Sequence, residues 1–171
     1  MTAGIGTWRS PAVGGVTVSM VGASDAEVYA KYAAELVGFA AATVGPFDAE
    51  DVVAAAVLWV MSSPSWASVV NQRAYLYRAV LNEALNVRRT TARRLLREVQ
   101  ATRPESAETT PSDLDVLEAL RRLSVRQRAV VYLSYWMDLP VREVAEVLAI
   151  APRSVERDLT VARRRIKELI G

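Results

Sequence analysis

The chain has 171 residues, of which 51% are hydrophobic, enough to bury a core or to divide into two helical modules of under a hundred residues each. It contains neither cysteine nor histidine, so disulfides, thiol nucleophiles, the usual zinc ligands and histidine acid-base chemistry are all excluded. The net charge of +2 conceals a segregation: residues 1–70 carry −4, 71–100 carry +5, 101–118 carry −4 and 119–171 carry +5.

Residues 1–23 are rich in Gly, Ser, Thr and small apolar side chains, contain Pro11 and lack helical periodicity, which reads as a flexible extension. They carry no basic cluster ahead of an apolar segment, and no apolar run in the chain approaches the length that spans a bilayer. A cytoplasmic protein without membrane insertion is expected. Ser24 with Glu27 forms a capping-box pattern, and Val28, Tyr32, Leu36 and Phe39 then recur at helical spacing up to a Gly45-Pro46 break. A second helix is expected from Asp48, with Asp48, Glu50 and Asp51 where the helix dipole favours acids, ending before Pro64.

From about Val70 to Gln100 nothing interrupts a helix. Its apolar stripe of Leu76, Val80, Leu81, Ala84 and Leu85 gives way to Arg88, Arg89, Arg93, Arg94 and Arg97, a basic end expected to face solvent. Residues 102–113 are mostly Pro, Ser, Thr and acids with no large apolar side chain, the composition of a linker. Beyond it, 114–171 read as four short helices separated at Ser124, at Asp138–Pro140 and at Ala149–Pro152. The expected fold is all-α: two small helical domains, 24–101 and 114–171, joined by a flexible linker.

The last two helices, Val141–Leu148 and Arg153–Ile170 around a four-residue break, have the spacing of a helix-turn-helix. Val155, Leu159, Ala162 and Ile166 lie on one face, which leaves Arg153, Arg157, Thr160 and Arg164 within about 40° of the opposite side. Those are donors suited to base edges, and Ser154, Arg163, Arg165 and Lys167 add phosphate or flanking contacts. Nineteen of the 21 basic residues are arginine, whose fork suits guanine and phosphate, although genomic base composition explains the same ratio. Two acids oppose this reading, with Glu156 expected at the flank of the helix and Asp158 toward its buried side.

Leu123-Ser124-Val125-Arg126-Gln127-Arg128, Leu139–Ala145 and Arg153–Ile166 together resemble region four of the extracytoplasmic-function (group 4) sigma factors of bacterial RNA polymerase. Asp48-Ala49-Glu50-Asp51-Val52-Val53 is similar to the acidic start of a region-two helix, and Tyr75-Leu76-Tyr77-Arg78 with Asn82 to the promoter-melting segment that follows. The resemblance covers about 28–100 and 115–170. It implies that Asp48, Glu50, Asp51 and Val52 bind the polymerase clamp on the largest subunit, that the second module meets the flap, and that the recognition helix reads the minus 35 element of duplex promoter DNA. It implies also that the first module melts the minus 10 element and holds the non-template strand. Arg78, Asn82, Arg88 and Arg89 are the candidates for that strand, with Trp59, Trp66, Tyr75 and Tyr77 weighed both as stacking platforms and as core. An anti-sigma factor is a further partner that the resemblance allows. Ala54 and Ala55 stand where glutamine and glutamate are usual, Asn86 replaces an aspartate, Asp158 an arginine and Val161 a basic residue.

Other classes of protein fit some of the same residues. A helix-turn-helix regulator that does not bind polymerase fits Ala54 and Ala55, and a docking module of helices predicts DNA affinity without steep salt dependence. An enzyme is the least supported: no nucleophile or metal-ligand cluster accompanies the acids, so neither catalytic residue, metal nor cofactor is assigned.

Overall fold

The computed structural model describes residues 23–98 and 120–170. Among them every regular element is helical, as the sequence predicts: α1 (Ala23–Val44), α2 (Pro46–Met61), a 3₁₀ turn (Trp66–Ser68), α3 (Gln72–Glu98), α4 (Val125–Val131), a π-helical turn (Tyr132–Trp136), α5 (Val141–Leu148) and α6 (Pro152–Ile170). The extension expected over 1–22, the linker over 102–113 and the start of the helix expected from Leu114 lie outside the described residues; that helix is picked up at 120–122.

Local chemistry accounts for the boundaries. α1 is described from Ala23, and the capping box expected of Ser24 with Glu27 falls on a side chain outside the described residues. α2 begins two residues earlier than expected, because Pro46 occupies the first helical turn, where a missing N–H costs no intrahelical bond. Gly45 makes the corner possible with φ 102°, a backbone conformation open to glycine. Asn71 starts α3 by accepting the Ala74 N–H at 3.0 Å. The 3₁₀ turn has no sequence signature of its own; it inserts Trp66, 5% exposed, whose Nε1 donates to Asp25 Oδ1 at 2.8 Å and ties the α2–α3 connection to the start of α1.

In the second half Ser124 closes a full capping box: its hydroxyl accepts the Gln127 N–H at 3.1 Å, and its own N–H donates to Gln127 Oε1 at 3.0 Å. α4 then widens into the π-helical turn, with Met137 N–H donating to the Tyr132 carbonyl at 3.1 Å. Between α5 and α6 the chain turns through Ala149 at φ 53° and Ile150 N–H returns to the Ala145 carbonyl at 3.0 Å. This is the left-handed helix ending that glycine usually supplies. Pro152 opens α6, so the turn is one residue shorter than the break expected.

The two halves share one core. α1, α2 and α3 pack on one another around Leu36, Phe39, Val53, Val60, Leu76 and Val80, each fully buried, and the second half then packs on α1 and α3 through α4 and α5. Phe39 joins the halves: its ring meets Tyr77 edge-on at 4.8 Å on one side and Tyr132 at 5.8 Å on the other. Gly38 sits beside it, and a Cβ there would lie 2.8 Å from the Tyr132 hydroxyl, so a side chain at this position would require the Tyr132 ring to shift.

Candidate nucleic-acid interface

α6 is built as an amphipathic helix with its inner face set by Val155, Leu159 and Ala162, at 0%, 6% and 1% exposure. Arg153, Arg157, Thr160 and Arg164 are all exposed on the other side, Arg163 is exposed at the flank, and Ser154 is half-buried. Arg153 and Arg157 form no ion pair with any described residue, so their guanidinium forks are available to an incoming base edge. Thr160 donates its hydroxyl to the Glu156 carbonyl at 2.8 Å, which leaves the oxygen free to accept. Arg164 lies 3.8 Å from Glu168, a loose exposed pair that phosphate would displace readily.

The two acids behave differently. Asp158 is 3% exposed and is gripped by Arg126 of α4, Nε to Oδ2 at 2.8 Å and Nη2 to Oδ1 at 3.2 Å. The bidentate pair pins α6 to α4 and removes the Asp158 charge from the outer face of the helix; the hydrogen bond to Asp158 raises the pKa of Arg126 above its ordinary value. Glu156 remains exposed at the flank. Arg126 was not singled out on sequence grounds, because a partner 32 residues away leaves no local signal.

The remaining arginines of α6 are anchored. Arg163 Nε donates to the Tyr135 hydroxyl at 2.6 Å and stacks over that ring at 5.8 Å. Arg165 is half-buried and donates to the Arg122 carbonyl at 2.6 Å, so part of its hydrogen-bonding capacity holds the helix in place. Tyr135 and the neighbouring Trp136 are 58% and 77% exposed and form an aromatic edge beside Arg163. The sequence offered no clue that this edge is bare, since Tyr132, Tyr135 and Trp136 fall at i, i+3 and i+4, the spacing of an ordinary buried stripe.

In the first half the candidates separate. Asn82, Arg88 and Arg89 are exposed along α3. Arg78 is half-buried, donating to the Ala74 carbonyl at 3.2 Å and lying 5.9 Å over the Tyr75 ring. The aromatics divide likewise: Trp66 and Tyr77 are core at 5% and 1% exposure, which removes them as stacking platforms, while Trp59 and Tyr75 are half-buried. Arg94 and Arg97 lie on α3, and their side chains fall outside the described residues. Tyr77 and Arg73 both donate to Glu35 Oε1 at 2.6 Å, tying α3 to α1.

On α2 the acids Asp48, Glu50 and Asp51 are exposed, but Val52 is 2% exposed and belongs to the core; as a surface contact it is a correction to the sequence reading, because it faces the apolar side of the helix with Val53 and Ala56. Phe47 and Leu58, which the sequence reading missed, are exposed at 97% and 49% and with Asp51 and Ala54 line one outer face at helical spacing. An acidic face with a bare aromatic at its end is the chemistry of a protein contact.

The fold and the outer face of α6 define the class: an all-α protein with a helix-turn-helix of the DNA-binding kind. Residues 113–166 match the protein family described as Sigma-70, region 4, which supports a sigma-factor family member; the match spans 54 of the 171 residues. No curated protein matches the chain. Among the described residues no helix is long and apolar enough to cross a membrane.

Proposed function

We propose that this chain is a sigma subunit of the extracytoplasmic-function group, which brings core RNA polymerase to specific promoters and starts transcription there. The observation that carries the reading is the outer face of α6, where Arg153, Arg157 and Arg164 stand exposed around Thr160 while the acid among them, Asp158, is drawn inward by Arg126. In this reading α6 enters the major groove of the minus 35 element: Arg153, Ser154, Arg157 and Thr160 read bases, and Arg163, Arg164 and Arg165 hold phosphates. Asn82, Arg88 and Arg89 hold the separated non-template strand at the minus 10 element, joined by Arg78 once it leaves the Ala74 carbonyl. Asp48, Glu50 and Asp51, with Phe47 beside them, dock on the polymerase clamp, and the second half meets the flap. The protein acts in the cytoplasm without a cofactor, and an anti-sigma factor is a fitting antagonist.

The test is reconstitution. The purified chain is expected to co-elute with core polymerase and to confer initiation at defined start sites on a genomic template. DNA binding without stable co-elution would instead establish a regulator independent of polymerase, the reading that Ala54 and Ala55 favour.

A further inference from the structure

A cavity of about 450 Å³ lies beside α1, within the size range of small-molecule sites. Gly38 and Ala42, four residues apart on one face of α1, leave room for it. Val131 of α4 and Tyr132 and Trp136 of the π-helical turn supply apolar and aromatic walls. Arg128 of α4 is the one charged side chain among the described residues that line it.

That arginine is poorly satisfied for its depth. It is 9% exposed, forms no ion pair with any described residue, and its Nε and one terminal nitrogen are buried with no acceptor among them. Burial, and then the charge of Arg88, pulls its pKa below the ordinary value, although a guanidinium stays charged at neutral pH. Arg126, two positions earlier, grips Asp158, whereas Arg128 holds no acid and belongs to neither the DNA-facing nor the clamp-facing set. A buried charge without a counter-charge opposes the packing around it, and buried polar groups in native folds generally have a partner. A second donor stands on the same wall. Burial, and then Glu35, raise the Tyr132 pKa, so its phenol stays protonated and can donate.

We infer that this cavity binds a small organic carboxylate, with the carboxylate on Arg128 and a hydrocarbon or aromatic body against Ala42, Val131 and Trp136. The charge selects the class. One guanidinium on an otherwise apolar wall is neutralised by one negative charge, whereas a phosphate dianion would bring a surplus into the same low-dielectric space. A carboxylate also matches the guanidinium fork in a bidentate pair, and the Tyr132 hydroxyl supplies a further donor. The rest of the cavity favours an apolar body, whose burial adds to the affinity. This site is independent of the sigma reading, since no described lining residue belongs to α2 or α6.

Decanoate is the probe, and decanol is its uncharged counterpart. In calorimetric titration of the full chain, monomeric decanoate is expected to bind saturably, one molecule per chain, and decanol at least about tenfold more weakly. Arg128→Met should weaken decanoate binding about tenfold or more and leave decanol unaffected, with circular dichroism showing unchanged helix content. Ala42→Phe, which fills the cavity and keeps the charge, should weaken both. Decanoate should also raise the melting temperature of the unmodified chain, and the rise should shrink in Arg128→Met. Absence of saturable decanoate binding by the unmodified chain, or equal affinity for decanoate and decanol, overturns the inference. Undiminished decanoate binding by either folded variant overturns it as well, because the acid would then sit elsewhere on the protein. Whether the chain binds polymerase changes none of these outcomes.

Discussion

The basic faces of α6 and α3 differ in how much of their chemistry the fold has already used. On α6 the inner stripe takes all the packing, the acid that would spoil the outer face is paired inward, and Arg153 and Arg157 are left without an ion pair among the described residues. On α3 one surface serves the first half's core, another meets α4 and α5, and only the remainder carries Asn82, Arg88 and Arg89. A helix that packs on one side can dedicate the other to a ligand. A helix enclosed on two sides keeps its ligand face only in part until one neighbour moves.

The largest expected effect tests whether the halves are joined at all. Phe39→Ala removes a fully buried ring that contacts both Tyr77 and Tyr132, and should destabilise the protein by about 3–5 kcal/mol, with both halves melting in one transition. Calorimetry that resolved two transitions in the unmodified protein would break the comparison, since α3 would then be no more enclosed than α6.

Next in size is Asp158→Ala. It strands Arg126, which is 41% exposed and can partly rehydrate, so a loss of about 2 kcal/mol in chemical unfolding is expected, smaller than for a fully buried pair. DNA affinity should fall only in proportion to the fraction unfolded. A gain in affinity at low salt would mean that the Asp158 charge is felt at the outer face after all.

Arg157→Ala sharpens the claim about reading. Discrimination at one base pair of the upstream element should weaken by about 1–3 kcal/mol, while affinity for random duplex changes little. Equal loss on both would place Arg157 on the phosphates. The smallest effect is expected at the turn before α6. Ala149 holds φ 53°, and Ala149→Gly should stabilise the protein by about 1 kcal/mol with DNA recognition unchanged. A loss of stability, measured by urea titration, would show that the turn tolerates alanine without strain.

Much of α6 was legible in advance because one period of 3.6 residues fixes both its faces: of the expected inner residues Val155, Leu159 and Ala162 are buried and Ile166 is half-buried. The break before it was nearly legible too, apart from Pro152, which joined the helix. What the sequence concealed has a common physical cause, namely that periodicity identifies a buried face without saying what covers it. Phe39 was on the expected stripe of α1, yet nothing local announced Tyr132 as its neighbour 93 positions away. Arg126 and Arg128 stand two positions apart in the same run, and only the packing distinguishes the buried one from the one that grips Asp158. Val52 was placed on the surface by likeness, although its spacing with Val53 and Ala56 already placed it inward.

The most direct test of the central claim is transcription by core polymerase and this chain from a library of templates with a randomised upstream element. The unmodified chain should enrich a narrow set of upstream sequences, and Arg157→Ala should relax the preference at one base pair while leaving the start sites in place. Initiation that showed no upstream preference, or the same preference with Arg157→Ala, would contradict it.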